Sequence, residues 1–146
     1  IQDMPAYKTA QTELQGMQDK FKKDLEDMQK ELQTKYEKFQ QEVNEKTPEN
    51  IRSRRQQELA ELGQKLDQAR ADDEKALQEA SSQKMQPIIS KVMDAINAVA
   101  KEGNYVYIMD SNAAQSAGIF INPALSENVT AKIRTKLGLS ASSAKK

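Results

Sequence analysis

The stretch "LQGMQDKFKKDLEDMQKELQTKYEKFQQEV", residues 14–43, carries the pattern that decides the fold. Its apolar residues are Leu14, Met17, Phe21, Leu25, Met28, Leu32, Tyr36, Phe39 and Val43, separated by steps of 3, 4, 4, 3, 4, 4, 3 and 4. These steps sum to an eleven-residue repeat: Leu14, Leu25 and Tyr36 form one set, Met17, Met28 and Phe39 the next, and Phe21, Leu32 and Val43 the third. Eleven residues over three turns is about 3.67 per turn, close to a straight α-helix, so the seam stays on one face with little drift. The residues between are mostly Lys, Glu, Asp and Gln, which favour helix and suit solvent. The spacing therefore predicts a long amphipathic helix from about Pro5 to Val43.

"NEKTPEN", residues 44–50, interrupts the pattern. Thr47 and Pro48 read as the N-cap and first residue of a second helix, and Glu49 favours its positive end. So short a connection predicts antiparallel neighbours. Leu66, Leu77, Ile88 and Val99 again stand eleven apart, the matching period that a packed hairpin needs. Asp73 interrupts that seam and Ala69 and Ala80 are small, so the middle of the hairpin is expected to be thinly packed and pliable. Pro87 lies within the second helix. It removes one hydrogen bond and crowds the turn before it, yet the apolar period continues, which predicts a kink and not a break. Pairing about the loop sets Pro87 opposite Tyr7, at the root of a hairpin about 50–60 Å long.

Beyond Pro87 the sequence changes character. "PIISKVMDAINAVA" has a wider apolar face, suited to more than one neighbour. Gly103 reads as the stop of the helix. "YVYIMD" and "GIFIN" read as two strands, 105–110 and 118–122, and Asp110, Ser111 and Asn112 as turn residues between them. Thr130 reads as the cap of a short helix over 131–137, with Gly138 its stop. The organisation expected is an arm over 5–86 with its tip near 44–50, a body over 87–138 completed by the start of the chain, and a flexible tail over 139–146. The fold class is α+β and mostly α. Two short strands are marginal alone, so the body is expected to be shared between chains.

Composition narrows the function. The 22 basic and 22 acidic residues cancel, unlike the basic excess of a general nucleic-acid binder. The absence of Cys and His removes thiol nucleophiles, Cys/His zinc sites and imidazole bases. No apolar run reaches the ~18 residues of a membrane span. Neither an enzyme nor a cofactor site is expected. "NVT" at 128–130 matches a glycosylation sequon, though Thr130 makes better sense as a cap.

The order of parts resembles the Skp/OmpH family of periplasmic chaperones. Three features carry the likeness: the helix-to-strand passage "VAKEGNYVYIMD" ending in the turn at 110–113, the closing pattern "NVTAKI", and the proline at the hairpin root, "MQPIISKV". Asn128 stands where the family usually has Asp. The resemblance implies a homotrimer whose pooled strands form a small β-body bearing coiled-coil arms. Unfolded outer-membrane proteins would be held between the arms in the periplasm, without ATP. In this picture Tyr105, Val106, Tyr107, Ile108, Met109, Ile119, Phe120 and Ile121 build the oligomerisation body. Met17, Phe21, Met28 and Phe39 are candidate client contacts on the arm, Pro87 is the arm hinge, and Lys46, Arg52, Arg54 and Arg55 are a basic cluster at the tip. Such a cluster could attract acidic clients or anionic lipid headgroups, a peripheral membrane contact. There are two departures. The family normally has a strand before the first helix, whereas this sequence opens on "IQDMPAYKTAQ", already at that helix, and its well-known members are basic where this chain is neutral. Two other classes compete: a coiled-coil adaptor joining folded partners, and a prefoldin-like chaperone. The latter places its strands between its two helices, whereas here they follow both.

Overall fold

In a computed structural model, residues 1–140 are described. They form two long helices, α1 (Pro5–Glu42) and α2 (Glu49–Glu102), then two short ones, α3 (Ser111–Ser116) and α4 (Thr130–Lys136). The chain divides into two compact units. One holds residues 11–83, and the other combines 1–10 with the chain from Lys84 onward.

In the first unit, Leu14, Met17, Phe21, Leu25, Met28, Leu32, Phe39 and Val43 are all half-buried along α1, while Tyr36 is exposed. Leu66 is the only deeply buried hydrophobic residue in 11–83. At the tip, the backbone N–H of Asn44 donates to the Thr47 hydroxyl at 3.0 Å. Thr47 therefore closes the turn on its own loop, where it was expected to cap α2. The Pro48 carbonyl opens α2 by accepting from the Arg52 N–H at 3.0 Å. The connection over 43–48 is tight enough for a helical hairpin.

The second unit has its own small core. Met4, Ala10 and Ile88 are buried together, with Tyr7, Met85, Val92, Leu137 and Leu139 packed against them. Met4 starts α1: its carbonyl accepts from Tyr7 at 3.0 Å and Lys8 at 3.2 Å, with Pro5 in the first-turn position where its missing N–H costs nothing. Tyr7 meeting the Ile88 cluster is the pairing expected from counting back from the loop. Ala95 and Val99 extend the buried face of α2, so Leu66, Ile88 and Val99 of the eleven-residue series are buried and Leu77 half-buried. α2 runs through Pro87 unbroken. Pro87 cannot donate to the Gln83 carbonyl four residues back, and the boundary between the compact units falls between Gln83 and Lys84.

Three helices end in the same way. At the end of α2 the Tyr105 N–H bonds to the Ala100 carbonyl at 3.0 Å and the Asn104 N–H to Lys101 at 3.4 Å. Asn104 has φ 51° and is the left-handed residue of this Schellman cap, one position later than the Gly103 expected from sequence. Gly103 has a different constraint: a Cβ there would come within 2.1 Å of the Tyr105 ring. Gly118 (φ 71°) ends α3 and Gly138 (φ 70°) ends α4 with equivalent bond pairs, Ile119 to Ala114 and Leu139 to Arg134 being the long ones.

Two expectations are corrected. Segments 105–110 and 118–122 are not strands, and no strand forms among the described residues. A strand needs a neighbour to bond, and here the connecting residues fold into α3 instead of a hairpin turn. Asp110 caps that helix, its Oδ1 accepting from the Ala113 N–H at 2.9 Å. Thr130 is the first residue of α4 and not its cap. The Asn128 side chain takes that role, accepting the Thr130 N–H at 3.0 Å. The expected tail over 139–146 lies outside the described residues from 141 onward, whereas Leu139 is packed on the core.

Candidate functional site

The feature of the second unit that invites a partner is the tract from Tyr105 to Leu125. Between Tyr105 and Ser126 the only charged residue is Asp110, in a chain that is 30% charged. Val106 is 83% exposed, Tyr107 80%, Phe120 85% and Leu125 88%. Met109, Ile119 and Ile121 are also exposed, so a run of large apolar side chains faces solvent in the single chain. Tyr105 and Ile108, three apart, are half-buried, while Val106, Tyr107 and Met109 are not. Strand alternation would have put Tyr105, Tyr107 and Met109 on one face; without a partner strand it is absent.

The two ends of the tract are anchored. The Asn104 cap fixes the direction of Tyr105, and the Tyr105 hydroxyl donates a short hydrogen bond to the Glu127 carboxylate. Lys132 Nζ reaches Glu127 Oε1 at 2.6 Å and the Tyr105 hydroxyl at 3.0 Å, and lies 5.5 Å from the centre of the Tyr105 ring. The hydrogen bond from Lys132, then that from Tyr105, holds the Glu127 carboxyl below its ordinary range. The same contacts, Glu127 first, raise Lys132. Buried Ala114 in α3 and Val129 before α4 fix the intervening loops. The result is an apolar tract held at both ends and largely uncovered between them, apart from half-buried Ile108 and buried Ala114.

Residues 1–137 match the family described as "Outer membrane protein (OmpH-like)". The chain belongs to the OmpH-like family. No individual curated protein and no solved structure matches it. No helix among the described residues of this OmpH-like chain is long and apolar enough to cross a membrane.

The other sequence-named residues are distributed between the two units. Met17, Phe21, Met28 and Phe39 are half-buried on the α1 seam, leaving part of each side chain reachable. At the tip of the OmpH-like arm every arginine faces a carboxylate: Arg52 Nη1 lies 4.0 Å from Glu49, Arg54 Nε 3.9 Å from Glu58, and Arg55 Nη2 4.0 Å from Glu42. Arg52 also donates to the Asn44 carbonyl at 3.1 Å, tying the loop to α2. The backbone N–H of Lys46 donates to the Asn44 side chain at 2.9 Å. Sequence reasoning did not single out Leu125, nor Ile89 and Met93, which are 45% and 51% exposed on α2. The signal for Ile89 and Met93 was present in the wide apolar face of "PIISKVM": they are a second stripe, four apart, beside the buried Ile88 and half-buried Val92.

Proposed function

We propose that this chain is a holdase chaperone that binds unfolded outer-membrane proteins in the periplasm and prevents their aggregation without ATP. The observation that carries this reading is the family match across residues 1–137, the family being one of periplasmic chaperones. The active form is a homotrimer. The uncovered segments around 106–109 and 119–121 pair with those of the other subunits as a β-body, and three arms hang from it. An apolar tract this exposed calls for such covering, since large uncovered apolar patches mark interaction surfaces or aggregate. Clients lie between the arms and meet the half-exposed flanks of Met17, Phe21, Met28 and Phe39. Methionine adapts its shape to many partners, as a promiscuous surface requires. Many weak contacts on three arms give avidity without a strong site. Release follows by mass action when the client folds elsewhere. Pro87, next to the boundary of the compact units, is the hinge that lets the arms splay.

The test is aggregation of a denatured β-barrel membrane protein diluted into buffer, followed by light scattering. One trimer equivalent per client should suppress scattering in the absence of nucleotide. Undiminished scattering at that ratio contradicts a holdase and favours an adaptor that joins folded partners.

A further inference from the structure

α4 has an unusual attachment. Its sequence, TAKIRTK, contains three cations and no acid, and each cation meets a carboxylate from a different segment. Arg134 Nη1 lies 2.6 Å from Asp3 at the start of the chain. Lys136 Nζ lies 2.5 Å from Glu102 at the end of α2. Lys132 Nζ lies 2.6 Å from Glu127 in the preceding loop. Arg134 Nε also donates to the Ser140 carbonyl at 2.7 Å, tying the residues after the helix to the same point. The Arg134 side chain is only 17% exposed, so these bonds replace much of its water.

By contrast, the apolar attachment is thin. No residue of α4 is deeply buried, Ile133 being half-buried, and contact with the Met4–Ala10–Ile88 core comes through Leu137 and Leu139, both just beyond the helix. Seven residues are far too few to hold a helix unaided. An open groove lined by Val99, Glu102, Gly103, Lys132, Thr135 and Lys136 runs beside this attachment, and the Lys136–Glu102 pair stands on its edge.

We propose that α4 is a charge-fastened lid on the body core: weakening its three ion pairs by salt, or those of Asp3 and Glu127 by acid, frees it and uncovers the apolar face around Met4 and Ile88. Exposed pairs are individually weak and are screened by salt, which makes this the body element most sensitive to ionic conditions. The acid response has a definite sign. Asp3 faces Arg134, Lys8 and the amino group of Ile1; the Arg134 hydrogen bond is the chief cause that lowers its carboxyl below the ordinary 3.8. Glu127 faces Lys132 and Tyr105 and is likewise lowered from 4.5. Glu102 faces Lys136. Carboxyls that titrate lower in the folded chain stabilise it fully above their ordinary values and lose that stabilisation as pH falls through the lowered ones. Lys132, raised by the same pair, stays charged throughout that range.

Hydrogen exchange of the full chain at pH 7 tests the lid. In the triple variant Asp3→Asn, Glu102→Gln, Glu127→Gln, the amides of 133–137 should exchange roughly tenfold faster than in the parent, the sum expected of three exposed pairs. Amides of 11–83 should not change. Raising the parent from low salt to ~1 M NaCl, where the screening length falls to about 3 Å, should move α4 toward the variant without any substitution. If α4 exchange in the parent is indifferent to salt, or if the variant protects α4 as the parent does, the lid is overturned. The salt titration decides alone should the variant fold poorly.

Discussion

Replacing Tyr107 and Phe120 together by Lys is expected to reduce the proposed trimer to a single chain while its helical content stays unchanged. Both side chains are uncovered in the chain itself, at 80% and 85% exposure, so the substitutions remove nothing from its own packing. In the proposed trimer the same side chains are covered. Burying each contributes roughly 1.5–3 kcal/mol, and two per subunit amount to about two to four powers of ten in affinity. A buried Lys adds a desolvation cost of its own. Ile108 is a poorer probe, because it is already half-buried within the chain and a charge there would disturb the monomer as well. Sedimentation velocity and circular dichroism on the same sample give the two readings. An undiminished mass would mean that other residues build the assembly.

Ile88→Ala is expected to produce the largest loss of stability of any single truncation in the body. Ile88 is 4% exposed and belongs to the cluster with Met4 and Ala10, on which Tyr7, Met85, Val92, Leu137 and Leu139 converge. Removing its outer carbons takes away buried area and leaves a cavity, a combination that costs about 2–5 kcal/mol for Ile→Ala in cores. So small a core has no second layer to collapse into the space. Denaturant unfolding of the parent and the variant measures the difference. A loss below about 1 kcal/mol would place the load of the body elsewhere.

Much of this was legible in the sequence. The eleven-residue period of Leu14 to Val43 and of Leu66 to Val99 located both long helices, because burial on one face of a helix leaves a periodic trace. The continuation of that period past Pro87 correctly argued against a break. The body was less legible for physical reasons. "YVYIMD" and "GIFIN" have the β-branched and aromatic content of strands, but content does not supply the neighbour that a strand must bond. The ends of helices were misplaced by one or two residues at Gly103, Thr130 and Thr47: Asn104 takes the left-handed turn in place of Gly103, the Asn128 side chain accepts the Thr130 N–H, and the Thr47 hydroxyl is turned back onto Asn44. Two of the three pairs that clamp α4 left no local signal. Arg134 and Asp3 are 131 residues apart and Lys136 and Glu102 are 34 apart, so only the folded chain brings them together. Ile89 and Met93 were legible only as part of a wide apolar face, since exposure depends on which side of that face the core occupies.

The central claim is that three chains hold one unfolded outer-membrane protein without nucleotide. Native mass spectrometry of the protein mixed with a urea-denatured β-barrel polypeptide, after dilution into nucleotide-free buffer, tests it most directly. The predicted result is a complex of three chains with one client, and none with the same polypeptide once folded. Free client beside uncomplexed chains, or equal binding of the folded barrel, would contradict the account.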